Sequence, residues 1–288
     1  MEEAKTFEQF LTQRERSKST IKNYLSDLRG FIAWFKETNK EPCTAQNITT
    51  IDLREYKRYL SHSMELKPNS INRKLATIRS YLSWAVQTKK IKHTLTIPKF
   101  LPKAKLGPHW LSKIKQNQLM RLVEKEGDVR NIAIVKLLLN TGLRVQELCT
   151  LRWQDISLSD RKGTLVVNHG KGEKRREVPL NRDAREALMS LGYGQFMNPE
   201  QLIFKGQRGP LTARGVQFLL KHYSSILKDR ITPHNLRHSF CKNLINAGVG
   251  LEKVAVMAGH ESLETTRRYC EPSLLDLQQA VDLIGEME

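Results

Sequence analysis

The chain has 288 residues, with 48 Lys and Arg against 30 Asp and Glu, a formal net charge of +18 and an isoelectric point near 9.8. Its 39% hydrophobic and 27% charged residues are enough to bury ordinary cores, which excludes a disordered tail, and the length predicts about two domains. So large a positive excess calls for a polyanionic partner, either a nucleic acid or an anionic membrane face.

No apolar run approaches the length of about 18 residues that marks a membrane span. The longest, Ile132 to Leu139, is short and interrupted by Lys136. The opening residues, Met1 to Lys5, are acidic and lack the apolar stretch of a signal peptide. Cys43, Cys149, Cys241 and Cys270 are widely spaced, which argues against a disulfide framework or a structural zinc site. The expectation is a soluble, cytoplasmic protein with no membrane partner.

The first elements in the chain read as helices. Thr6, followed three residues later by Gln9, fits a capping box. From Ser19 to Glu37, apolar residues such as Ile21, Leu25, Leu28 and Ile32 recur at three- and four-residue intervals, as one helical face requires. Residues Ile51 to Leu60 and Asn69 to Thr88 repeat the pattern, and no convincing strand precedes residue 107. Residues 1–107 hold 21 basic and 10 acidic side chains, a net +11, whereas the remaining 181 hold 27 and 20, a net +7. The denser charge of the first segment fits either a solvated helical surface or a folded module that neutralises DNA phosphates, and the second reading is favoured.

Between Ile97 and Pro108 the texture changes to three prolines, a glycine and several lysines, which predicts an extended basic linker. Helical patterns resume over Gln116 to Val123 and Val129 to Asn140. Thr164 to Val167 and Arg176 to Leu180 flank the turn Gly170-Lys171-Gly172, which predicts a hairpin with Pro179 on an edge strand. Helices are again expected over Asp183–Leu191, Ala213–Leu227 and Pro233–Ala247, the last entered through Thr232 as N-cap and Pro233 as first residue. The fold class is therefore mainly α, with a small β-sheet or hairpin in the C-terminal domain.

Four short boxes follow one another in the C-terminal segment. They are Thr141-Gly142-Leu143-Arg144 with Glu147-Leu148, His234-Asn235-Leu236-Arg237-His238, Gly259-His260, and Tyr269 nine residues beyond that histidine. Each alone is a weak signal, but together, in this order and spacing, they resemble the tyrosine recombinases of the phage integrase family, most of all Xer-type and transposon-resolvase members. Ala258 stands where that family usually has leucine, a change in packing rather than charge. The resemblance implies a two-domain C-shaped clamp. A helical core-binding, SAM-like domain would span residues 1–97, a linker 98–109, and a catalytic domain 110–288 ending in a protomer-docking helix at about 273–284.

The chemistry implied is cleavage and rejoining of duplex DNA without metal, ATP or other cofactor. It requires a nucleophile, a cationic clamp for the pentacoordinate phosphorus and an acid for the leaving 5′-oxygen. By resemblance Tyr269 is the nucleophile that forms a 3′-phosphotyrosyl link. Arg144 and Arg237 hold the non-bridging oxygens with planar, permanently charged guanidinium groups. His260 donates to the phosphate, and His234 accepts the tyrosine proton or assists the phosphate contacts. Lys171, in the hairpin turn, is the expected general acid, with nearby Lys174 the alternative. Glu147 is expected to orient its neighbours and His238 to hold its helix, and Cys270 is incidental.

The implied partners are a core site with inverted arms and three further copies of the chain, assembled as a tetramer on two synapsed sites. Accessory DNA-bound proteins are a further implied partner. The apolar stripe Leu274, Leu275, Leu277, Ala280, Val281, Leu283 and Ile284 either folds back on its own domain or docks on a neighbouring protomer, the reading favoured here. The expected function is site-specific recombination through a Holliday junction, resolving dimers or transposon cointegrates. Integration or inversion shares the chemistry, as does type IB topoisomerase relaxation. A metal-dependent nuclease using His234 and His238 and a non-catalytic DNA-binding protein are the competing classes.

Overall fold

The computed structural model describes residues 2–93, 95–102, 107–168, 175–195, 198–270, 278 and 281–282. The chain divides into two compact units, Met1–Lys105 and Leu106–Glu288. Lys171 and Lys174, residues 103–106 of the expected linker, and most of the expected terminal helix lie outside the described residues.

The first unit is built from α1 (Glu2–Gln13), α2 (Lys18–Asn39), α3 (Thr50–Arg58) and α4 (Pro68–Gln87), with one π turn at Tyr59–Ser63 prolonging α3. Ser17 caps α2 by accepting from the Thr20 amide, and Thr49 with Asp52 forms a reciprocal capping box on α3. The capping box expected at Thr6 is not formed. α1 already runs from Glu2, so the Thr6 amide lies inside the helix and its hydroxyl donates instead to the Glu3 carbonyl. The apolar faces enclose an aromatic core that includes Phe7, Phe31, Trp34, Tyr56 and Trp84, with Phe31 and Tyr56 edge-to-face at 4.9 Å. Within it Asp27 is buried and bound by Arg73 and Lys74 of α4.

The second unit opens with α5 (Lys113–Glu126), α6 (Val129–Thr141) and the short α7 (Val145–Cys149). A sheet follows, β1 (Ile156–Leu158), β2 (Gly163–Val167) and β3 (Arg176–Pro179), antiparallel in the order β1-β2-β3. Pro179 falls on an edge strand, where its missing N–H costs no ladder bond. β1 carried no pattern that distinguished it from loop, being only three residues long. Next come α8 (Arg182–Ser190), the two-residue strands β4 (Lys205–Gly206) and β5 (Gly209–Pro210), and α9 (Ala213–Leu227). The unit ends with α10 (Pro233–Asn246), α11 (Leu251–Ala258) and α12 (Leu263–Arg267). Its main core includes Ile134, Leu138, Leu148, Leu165, Leu188 and Leu220. A separate small cluster joins Phe240, Cys241, Val254, Ala258 and Tyr269. Among the described residues no helix is long and apolar enough to cross a membrane.

Candidate active site

Two glycines shape the backbone around the site. Gly142 ends α6 with φ +61°, a left-handed conformation that side chains resist, and a Cβ there would run into the ring of Phe240. The turn it makes delivers Arg144 to the N-cap of α7. Gly259 ends α11 in the same way, with φ +65°, and delivers His260. The T-G-L-R and G-H boxes are therefore helix-ending turns that aim the following side chain.

The C-terminal carbonyls of α11 lack helical partners, and arginines satisfy three in succession. Arg176 Nε donates to the Met257 carbonyl at 3.1 Å, Arg237 Nη2 to that of Ala258, and Arg144 Nη2 to that of Gly259. Arg237 also donates through Nη1 to the Gly142 carbonyl, so its planar fork ties the two glycine turns together. Three guanidinium groups are thus gathered at the negative end of one short helix, with a single carboxylate, Glu147, between two of them. Burial pushes the Glu147 carboxyl up, but hydrogen bonds from Arg176 and Arg144 outweigh it and hold the group below its ordinary value. Arg237 is lowered to about 10, first by burial and then by Arg144, and stays charged at neutral pH.

α10 supplies the opposite wall. Thr232 caps it through the Asn235 amide and Pro233 occupies its first turn, as the sequence indicated. His234 and His238 pack ring edge to ring face, with centroids 3.9 Å apart. His238 Nδ1 is hydrogen-bonded to the Tyr269 hydroxyl, and Cys241 packs with Tyr269 in one small buried cluster. Lys242 Nζ donates to the Tyr269 carbonyl at 3.3 Å and lies 5.0 Å from the Trp110 ring centre. The His260 ring stands parallel to that of Tyr269 at 6.1 Å, its Nδ1 bonded to the Thr266 hydroxyl at 2.8 Å.

Of the expected site residues, Arg144, Arg237 and His260 meet at the end of α11, while His234 and Tyr269 join them through α10. His238, expected only to hold its helix, is the histidine on the tyrosine hydroxyl. Arg176 was missed as a site residue altogether. Its sequence signal was an arginine inside an otherwise apolar-facing strand, at a position whose neighbour Val178 is buried on the same face. Tyr269 itself is only 1% exposed, and burial raises its hydroxyl well above the ordinary tyrosine value. His238 and His260 are lowered by burial to about 3 and about 4, so both rings are neutral at physiological pH.

Residues 109–274 match the phage integrase family, and residues 4–89 match the phage integrase N-terminal SAM-like domain. The TnP I resolvase of Bacillus thuringiensis is 28% identical, covering 99% of this chain and 100% of that one. Tyrosine recombinase XerC of Pediococcus pentosaceus is 31% identical, covering 97% of this chain and 96% of its own. Among solved structures, the XerH site-specific recombinase in a post-cleavage complex with a palindromic difH substrate superposes with a TM-score of 0.75. It is 20% identical, over 94% of this chain and 82% of that one.

The chain belongs to the phage integrase family. It is a tyrosine recombinase, an enzyme of site-specific DNA strand breakage and rejoining.

Proposed function

We propose that Tyr269 cuts one strand of a duplex core site at a phosphate held by Arg144 and Arg237. The observation that carries this reading is the gathering of both guanidinium groups at the end of α11, beside His260 and next to the helix that holds the Tyr269 hydroxyl. The tyrosine oxygen bonds to phosphorus as the 5′-oxygen leaves, and the departing oxygen takes a proton from Lys171. Arg144 and Arg237 stabilise the charge that gathers on the non-bridging oxygens, and His260 adds a hydrogen bond. His234 accepts the tyrosine proton as the bond to phosphorus forms. Attack by the freed 5′-hydroxyl of a partner strand reverses the step and returns the tyrosine proton, so the energy of the broken bond is conserved.

Burial raises the Tyr269 hydroxyl above its ordinary value and lowers His238 to about 3, so the tyrosine keeps its proton beside that ring. Tyr269 is 1% exposed, so cleavage requires its side chain to come out to the phosphate.

The wider assembly follows from the same reading. The dense positive charge of the first unit supplies salt-dependent affinity for the arms of the core site. Two chains occupy one site, and two sites synapse as a tetramer, with the apolar C-terminal stripe of each chain docked on a neighbour. Full-length similarity to a resolvase favours resolution of dimers or transposon cointegrates as the outcome, with accessory DNA-bound proteins giving direction.

The test is covalent trapping on duplex fragments flanking the gene, with the protein–DNA junction mapped. Wild-type chain is expected to yield a 3′-phosphotyrosyl adduct at Tyr269 and a Holliday junction from paired sites, and Tyr269→Phe neither. Wild-type chain that forms no adduct on any such fragment, or Tyr269→Phe that still forms one, sinks the reading.

A further inference from the structure

Glu147 accepts four hydrogen bonds, which fills the roughly four lone-pair positions of a carboxylate. Two come from Arg144, through its backbone N–H to Oε2 at 2.7 Å and Nη1 to Oε1 at 2.8 Å. Two come from Arg176, through Nη1 to Oε1 at 2.9 Å and Nη2 to Oε2 at 2.6 Å. The two arginines are not equivalent. The Arg176 side chain is 8% exposed, as hidden as Glu147 at 3%, whereas that of Arg144 is 36% exposed. A phosphate of duplex DNA can meet Arg144 but not Arg176. The bond from Arg176 Nε to Met257 fixes it in place, and Gly259 leaves it room, since a Cβ there would lie 2.8 Å from Nη1.

We propose that Arg176 is a positioning residue for strand cleavage: by satisfying one side of the Glu147 carboxylate, it leaves the exposed part of the Arg144 guanidinium to the scissile phosphate. The proposal rests on the reading of Arg144 as a phosphate-holding residue. Its physical basis is a competition between anions. Arg144, Arg176 and Arg237 carry three positive charges against one on Glu147, so two remain for a phosphorane that is itself doubly negative. Without Arg176, a buried carboxylate with two vacant acceptor positions would compete for Arg144. Carboxylates bind guanidinium best through two parallel N–H bonds. Arg144 would turn into that fork, leave the Gly259 carbonyl and lose its aim at the phosphate. Arg176 thus acts on the reaction only through Glu147.

That restriction makes the proposal testable with a double-mutant cycle of full-length Arg176→Gln, Glu147→Gln and the pair. The rate of covalent adduct formation is followed on a duplex nicked beside the junction mapped with wild-type chain, and unfolding midpoints are recorded alongside. Wild-type adduct is the control: without it, the reading of Tyr269 and Arg144 fails before Arg176 is judged. Arg176→Gln is expected to slow adduct formation by about 100-fold, comparable to losing one preorganised cation. Adding Glu147→Gln removes the competing anion and is expected to restore at least about 10-fold. A smaller recovery means that Arg176 only holds the fold, and overturns the proposal. Should Arg176→Gln not fold, the pair is compared with Glu147→Gln alone. Rates within about 10-fold support the proposal, and a larger deficit in the pair overturns it.

Discussion

Nδ1 of His238 is hydrogen-bonded to the hydroxyl of Tyr269, with the two ring centres 5.3 Å apart. The contact ties Tyr269 to the helix that also carries Arg237, one residue before His238. It buries a hydroxyl that would otherwise be costly to remove from water. Replacing His238 by Ala is therefore expected to lower folding stability by about 1 kcal/mol in urea titrations. It should also speed nitration of Tyr269 by tetranitromethane in the DNA-free chain. Unchanged nitration at Tyr269 would show that the contact does not hold the side chain in.

Acid should weaken the second unit before its carboxylates titrate. His238 and His260 are lowered from the ordinary 6.5 to about 3 and about 4. Burial is the first cause in both; His234 and Arg237 add to it at His238, and Arg237 and Arg144 at His260. His234 is shifted in the same direction, by burial and then by Arg237. Below about 6.5 the unfolded chain binds protons at these positions and the folded chain does not. The stability is thus fully present above that pH and is lost as pH falls towards 4 and 3. Thermal midpoints measured from pH 7.5 to 5 should decline, and less steeply in His260→Gln. A midpoint that stays flat across this range contradicts the assignment of neutral, half-buried rings at His238 and His260.

Arg237 spans two carbonyls, those of Gly142 and Ala258, with two nitrogens of one planar group. An ammonium is a single point of charge and cannot reproduce that fork. Arg237→Lys is expected to keep duplex affinity and to slow adduct formation by about 100-fold or more. Near-normal cleavage by this variant would mean that charge alone suffices there.

Gly259→Ala combines a left-handed residue with a blocked Cβ position. The conformation alone costs about 1–2 kcal/mol for a residue with a side chain. The collision with Arg176 adds to this, so the urea midpoint should fall by more than for Gly127→Ala. Gly127 has a similar φ of +75° and open space around it, and serves as the matched control.

Much of this molecule is written in local pattern. The periodic apolar positions of α2 and α4 and the capped entry to α10 were legible because one helical face must be buried wherever the chain folds. The boxes around Arg144, Arg237, His260 and Tyr269 were legible as chemistry because few reactions call for those groups at that spacing. One local reading went astray and one strand went unread, both for physical reasons. Thr6 carried the composition of a cap, but the residues before it also form helix, so its hydroxyl turned back on the Glu3 carbonyl. β1 is too short for alternation to declare itself, and exists because it pairs with β2.

The sequence by itself determined the class of chain, the reaction type and the family, since charge balance and motif order do not depend on where residues meet in space. Only the tertiary structure decided which histidine lies on the tyrosine hydroxyl: the resemblance pointed to His234, but His238 shares its face of α10 and is the ring that meets Tyr269. Only it brought Arg176 from a β-strand to the carboxylate of Glu147. That encounter depends on how β3 packs against the end of α11, and long-range packing of this kind leaves no period to read.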